Sequence, residues 1–301
     1  MSAVLSIVRA GPLTSIQDDG RFGMLRHGIS ASGPMDRGAF AQAGALACGR
    51  HGGIEFTMAG LEIRLASGRC RVGFAGGGFS VRHNGAALDW PGGVALAEGD
   101  VLAITPGPWG NYGYLRFDAD VGVAPVMGSV ATSSRARLGG LDGRVLRAGD
   151  SIELVGSGTS GGAGDAEPRP AAEGPIRVIW GLHADLFAPT LRQRFLAASF
   201  NVSSRLDRMG VRLDDAAGVF ADAASLSLVS DAIVPGDIQI LGDGTPIVLM
   251  RDHQPTGGYP RIATVISADL DRFAQLRPGS PVAFVPVTVE HAQALLRSRR
   301  T

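Results

Sequence analysis

Three stretches of the chain gather side chains that can bind ions and move protons. In "TSIQDDGRFGMLRHGISASGPMDRGAF" (14–40), Gln17, Asp18, Asp19, Arg21, Arg26, His27, Ser32 and Asp36 crowd among five glycines. Carboxylates and guanidinium groups orient polar substrates and exchange protons, and glycines let the backbone approach a ligand or take positive φ. Turns, helix caps and structural Asp–Arg pairs would use the same residues. In "NVSSRLDRMGVRLDD" (201–215), Arg205, Asp207, Arg208 and Arg212 surround Met209-Gly210. That density of guanidinium suits a carboxylate, a phosphate or an acidic partner surface. A turn neutralised by Asp207 ahead of the strand "VRL" accounts better for Arg212 than for Arg208. In "RDHQPTGGYP" (251–260), Asp252 and His253 can exchange protons near neutral pH, Gly257 and Gly258 permit tight backbone geometry, and Tyr259 adds an amphipathic wall. This stretch lies between the apolar runs "PIVLM" and "RIATVI", so it is expected to be a loop held by two strands, where sites collect.

Other chemistries find no support. The six histidines, at 27, 51, 83, 183, 253 and 291, never occur at metal-ligand spacing, and no metal is expected. Cys48 and Cys70 are too few for a disulfide framework and read as packed small residues in a reducing, cytoplasmic setting. The 28 basic residues are all arginine. With no lysine there is no P-loop lysine, no Schiff base and no biotinyl attachment point, so no covalently bound cofactor is expected on this chain. Basic and acidic residues balance at 28 each, which argues against nucleic acid as a partner, and no run is long and apolar enough to suggest a membrane span.

The elements that must position these residues are mostly strands. There are 44 glycines and 17 prolines between short runs of Val, Ile and Leu, a punctuation that favours many short strands over long helices. A strand-Gly-strand pattern recurs in "LAEGDVLAIT" (96–105), "LRAGDSIELV" (146–155), "VPGDIQILGDGTPIVLM" (234–250) and "LRPGSPVAFVPV" (276–287), which suggests one β-rich module used twice. The expected organisation is a module over 1–155, a flexible linker or loop over 156–174, and a second module over 175–301. Two motif matches inside the linker, a dinucleotide fingerprint from Gly156 and a nucleophile elbow at Ser160, need a helix that "AGDAEPRP" does not supply. "FAGGGFSV" (74–81) reads as a Gly-rich strand-turn. Helices are expected over 34–48, with Pro34 in the first turn and Asp36 at the positive end of the dipole, over 189–200, over 269–276 and over 290–300.

Read together, "GPLTSIQDDGRFGMLRHGISASGPMDRGAFAQAGALACG", "IEFTMAGLEIRL", "GSVATSSRARLGGLDGRVLRAGD", "SSRLDRMGVRL", "PGDIQILGDGTPIVLM" and "TGGYPRIATVISADLDRFAQLRPG" resemble, in order, the motifs of the allophanate hydrolase subunit 2 family. The chain departs from that pattern at Ala47-Cys48-Gly49 and at Pro255. The resemblance implies two cyclophilin-like β-barrel modules in a mainly β chain with a few short helices. It implies a partner of the subunit 1 type, also termed the B subunit, together with a third subunit. It further implies a small amide substrate, as in the ATP-dependent opening of 5-oxoproline to glutamate. ATP would then be used on a partner. Two alternatives stay open: a carboxyltransferase component served by biotin on a partner, and a non-catalytic regulatory subunit. Under the first reading Asp18 and His253 are the expected acid/base groups, Arg21 and Arg208 the anion binders, and Gln17, Asp36 and Tyr259 the orienting groups.

Overall fold

The computed structural model describes residues 2–156, 167–168, 171, 173–221 and 228–298. It resolves into two compact units, Met1–Phe22 with Ala31–Ala171 and Gly23–Ser30 with Ala172–Thr301. Residues 23–30 therefore group with the second unit, although both chain neighbours of that segment belong to the first. Most of the expected linker, 156–174, lies outside the described residues.

The first unit is one ten-stranded sheet that curls into a half-barrel. Its strands are β1 (Ser2–Ala10), β2 (Ser15–Gln17), β3 (Gly53–Thr57), β4 (Leu61–Ser67), β5 (Arg69–His83), β6 (Ala86–Leu88), β7 (Gly92–Ala97), β8 (Val101–Phe117), β9 (Asp120–Val121) and β10 (Ser151–Val155). Period-two alternation sets the inner face: Ala3, Leu5 and Ile7 of β1 are buried, as are Leu61, Ile63 and Leu65 of β4. The spine is the antiparallel pair of β5 and β8, in register from Val72↔Phe117 to His83↔Leu102, with shifts around Gly76–Gly78. "FAGGGFSV" is thus strand interior and not the expected turn. A Cβ on Gly77 would lie 2.7 Å from the Gly110 Cα, and one on Gly78 2.6 Å from the Trp109 Nε1, so the glycines let two backbones approach at a bulge.

Against this sheet packs α1 (Arg37–Ala47), whose buried stripe is Ala39, Phe40, Ala43, Gly44, Leu46 and Ala47. Asp36 is its N-cap, accepting a 2.9 Å hydrogen bond from the Ala39 amide, so Pro34 lies before the cap and not in the first turn. Cys48 ends the helix in the left-handed region at φ 53°, and the Gly49 amide closes back onto the Gly44 carbonyl at 2.7 Å.

The second unit carries an eight-stranded sheet built from β11 (Ile176–Trp180), β12 (Phe200–Leu206), β13 (Gly210–Asp214), β15 (Asp237–Ile240), β16 (Pro246–Leu249), β18 (Arg261–Val265), β19 (Pro281–Val282) and β20 (Phe284–Pro286). A separate two-stranded ribbon joins β14 (Asp231–Ala232) to β17 (Thr256–Gly257). Spatial order runs β19-β12-β13-β16-β15-β18-β11-β20, and its end strands are consecutive in the chain, separated by Ala283 alone. One residue can bridge the two edges only if the sheet curls nearly into a closed barrel, which removes most of its free edge. Phe195, Phe200, Phe220 and Phe284 form an aromatic core with centroid separations of 5.1–6.3 Å. The helices of this unit are α2 (Pro189–Ala197), opened by its proline as expected, α3 (Ser267–Ala274) and α4 (Val289–Ser298). The mainly β class with a few short helices holds.

Candidate functional site

The N-terminal polar cluster folds inward within the first unit. Asp18, just after β2, is almost wholly buried, and its carboxylate accepts three hydrogen bonds, from the Gly20 amide at 2.8 Å, Ser129 Oγ at 2.6 Å and the Val130 amide at 2.7 Å, with His51 Nε2 3.1 Å away. A carboxylate so committed anchors the 129–130 segment to β2 and orients the His51 ring, whose side chain is 54% exposed. The geometry places His51, a second titratable group, against the residue expected to do acid/base chemistry. Nothing in the sequence flagged that residue, because "GRHGG" stands 33 positions away from Asp18 and a lone His is not a motif.

Arg21 is buried with its guanidinium donating to the carbonyls of Ala131 and Val126 and, at 3.5 Å, to Ser32 Oγ. Gln17 is fully buried in β2, its Nε2 donating to Ser15 Oγ at 2.9 Å and the Thr132 carbonyl at 3.2 Å. Asp36 caps α1, and its own amide donates to Tyr114 Oη at 2.7 Å. That phenol also bonds Glu55, a wholly buried carboxylate of β3 whose Oε2 accepts from the Met35 amide at 2.8 Å. Burial first, then the nearby Glu55 and Asp36 charges, push the Tyr114 hydroxyl well above its ordinary value, so it stays a hydrogen-bond donor. Gln17, Asp18, Arg21 and Asp36 thus share one unit, with every bond just described serving its interior.

The two C-terminal clusters converge within the second unit. Arg208 and Asp252, both more than nine-tenths buried, form a two-pronged pair, Nε to Oδ2 at 2.9 Å and Nη2 to Oδ1 at 3.2 Å, and the Asp252 amide donates to the Arg208 carbonyl at 2.7 Å. Asp207 turns the chain just before, accepting from the Met209 and Gly210 amides at 2.7 and 3.2 Å. His253 is 4% exposed, with Nδ1 2.5 Å from the Gln254 carbonyl. A carbonyl only accepts, so Nδ1 carries the proton; Nε2 is then a bare acceptor, with no partner among the described residues. Burial lowers the His253 pKa from its ordinary 6.5, against smaller upward pulls from the Gln254 carbonyl, Asp237 and Asp252. The shift favours the neutral ring, the form that accepts a proton. Tyr259 stands at the loop's end, 40% exposed.

Sequence reading missed the polar floor of this unit. Asp237 and Gln239 of β15 and Arg261 of β18 are buried on the strand face opposite the core residues Ile238 and Ile240. Arg261 donates to the Ala232 carbonyl at 2.7 Å, to Asp231 at 2.6 Å and to Asp237 at 3.4 Å, while its Nε lies 3.4 Å from His183 Nδ1. The available signal was a strict polar alternation, Asp-Ile-Gln-Ile, within the strand. An open groove of about 400 Å³ elsewhere in the unit is lined by Arg205, Asp214, Asp215, Asp243 and Thr245, and not by Arg208 or His253.

Linkage fixes the sign of a pH effect. Because the folded pKa of His253 is depressed, its contribution to stability is complete above the unfolded value of about 6.5 and is lost as pH falls toward the folded value. The unfolding midpoint of the wild-type chain should therefore drop on acidification below about 6.5 more steeply than that of His253→Gln, in thermal melts taken at half-unit steps. Parallel curves would remove the assignment.

The fold and these groups define a mainly β protein of two units, each with buried ionic side chains and a histidine beside them. The chain belongs to the carboxyltransferase domain, subdomain A and B, family, whose model matches residues 27–286. It is 34% identical over 297 residues to the C subunit of 5-oxoprolinase from Escherichia coli, covering 96% of this chain and 93% of that protein. It is 30% identical to the C subunit of the Haemophilus influenzae 5-oxoprolinase, covering 98% and 94%. The crystal structure of Kluyveromyces lactis urea amidolyase superposes with a TM-score of 0.87 at 27% identity; 99% of this chain is covered but only 19% of that one.

Proposed function

We propose that the chain is the C subunit of a 5-oxoprolinase-type amidohydrolase complex and takes part in the ATP-dependent opening of the 5-oxoproline lactam to glutamate. The observation that carries this reading is the length match. The chain spans 93% of the Escherichia coli 5-oxoprolinase C subunit but 19% of a urea amidolyase. A buried His253 whose pKa is lowered suits proton transfer to or from an amide, and the Arg208–Asp252 pair suits its orientation. A chain without lysine leaves phosphoryl chemistry to a partner, so ATP is assigned elsewhere in a cytoplasmic assembly. Trp180, Leu182 and Leu186, exposed within seven residues, supply an apolar surface of the kind that meets partner proteins. Among the described residues no helix is long and apolar enough to cross a membrane.

The test is ATP-dependent glutamate release from 5-oxoproline by the purified chain, alone and assembled with its candidate partner subunits. Activity is expected only in the assembly. An assembled complex that leaves 5-oxoproline intact but carboxylates urea or another amide with a biotinylated partner would replace this reading.

A further inference from the structure

The primary amide of Gln239 is the least accounted-for group in the second unit. Its residue is 4% exposed, and its Nε2 is sealed from solvent without a partner. A buried polar group left unpaired costs about 1–3 kcal/mol, a cost that folded proteins rarely carry without use.

Its surroundings show where a ligand would lie. Antiparallel pairing sets Gln239 opposite Arg261 on the buried polar face of β15 and β18. Gly257 packs over the amide: a Cβ built there would stand 2.6 Å from Gln239 Nε2 and 3.2 Å from Ile233 Cδ1. Gly257 needs no positive φ, so the glycine serves space alone. Its strand, β17, belongs to the two-stranded ribbon, which is fastened at both ends by the Leu228 amide on the Gly258 carbonyl at 2.8 Å and the Ile233 amide on the Pro255 carbonyl at 3.3 Å. The same ribbon is tied to the polar floor through Arg261, which holds Asp231 and the Ala232 carbonyl. His253 lies three residues before the ribbon's second strand.

We infer that Gln239 is a substrate-binding residue that pairs edge to edge with a cis amide, the arrangement found in a lactam and in urea. A cis amide presents C=O and N–H side by side, and a primary carboxamide offers the complementary donor and acceptor at the same spacing. Two hydrogen bonds would give Nε2 the acceptor it lacks, engage Oε1 as well and fix the plane of the scissile bond. An ester or a trans peptide offers only one half of this edge. The inference rests on the amidohydrolase reading for its choice of ligand, but not for the unpaired amide itself. Because the Gly257 backbone packs this close to Nε2, a ligand at Gln239 would need β17 to move away from it.

The test compares wild type with Gln239→Leu, a near-isostere without polar atoms, in the full chain assembled with its partner subunits. Probes are 5-oxoproline, pyrrolidin-2-one, urea and N-methylpyrrolidin-2-one. The free variant is expected to melt at or above the wild-type temperature, because an unpaired group has been replaced by an apolar one. Wild type should bind the lactams and urea but not the N-methyl compound, and the variant should bind the first three roughly tenfold more weakly or worse, about 1.4 kcal/mol. Binding by the variant within twofold of wild type, a variant melting several degrees lower, or equal wild-type binding of the N-methylated lactam would each overturn the inference. So would wild type that binds neither lactam nor urea. Failure of glutamate release with urea and lactam binding intact would count against the 5-oxoprolinase reading alone.

Discussion

Replacing Arg208 by methionine should lower the stability of the chain by about 3–5 kcal/mol, because it leaves the Asp252 carboxylate buried without its counter-charge. Both side chains are sealed, at 6% and 4% exposure, and the two bonds between them are parallel and short. The attraction inside the pair offsets the loss of hydration only while both partners are present. Taking both away together, in Arg208→Met with Asp252→Leu, should restore most of the loss and give a large coupling energy in the cycle. A useful contrast is Arg192 with Asp185, bonded at 2.9 Å but with the Asp185 side chain 97% exposed. Asp185→Ala should change stability by no more than about 1 kcal/mol. Guanidinium unfolding of the full chain measures all of these. A single Arg208 variant that unfolds with the wild type would show that the pair is replaced by solvent and is not structural.

The second large effect is expected at His253. If its bare Nε2 handles the proton of the amide, His253→Gln in the assembled complex should lower kcat by roughly 10²–10⁴-fold with little change in KM. Glutamine can still donate to the Gln254 carbonyl, so it keeps the loop's hydrogen bond and loses only the titrating acceptor. Assembly and melting temperature near neutral pH should stay close to wild type, which separates the chemical role from a structural one. A folded, assembled His253→Gln complex with unaltered turnover would pass the role to another group. His51, oriented by Asp18 in the first unit, is the residue to replace next.

Much of the architecture was legible in the chain because it depends on local chemistry. Alternation such as Ala3, Leu5, Ile7 reads directly as a half-buried strand, and Asp36 and Pro189 mark helix starts through their own backbone preferences. The glycines at 76–78 misled, since a Gly run signals a turn and a bulged close approach equally well; what separates them is Gly107 and Gly110 on the facing strand, about 30 residues away. Arg208 and Asp252 were each noticed for their type, yet their pairing spans 44 positions and follows from two different loops meeting beside one sheet.

Composition and order therefore determined that this is a β-rich chain without lysine, that its polar chemistry gathers in three stretches, and which family it joins. Tertiary structure decided which of those groups stay available. Asp18 and Arg21 looked reactive but are consumed by three hydrogen-bond donors with the His51 ring beside them and by backbone carbonyls, whereas Gln239, an unremarked residue inside a strand, kept its amide Nε2 unpaired. The reason is physical: a side chain's reactivity depends on burial and on the hydrogen bonds left unmade, and both are set by residues that arrive from distant parts of the chain.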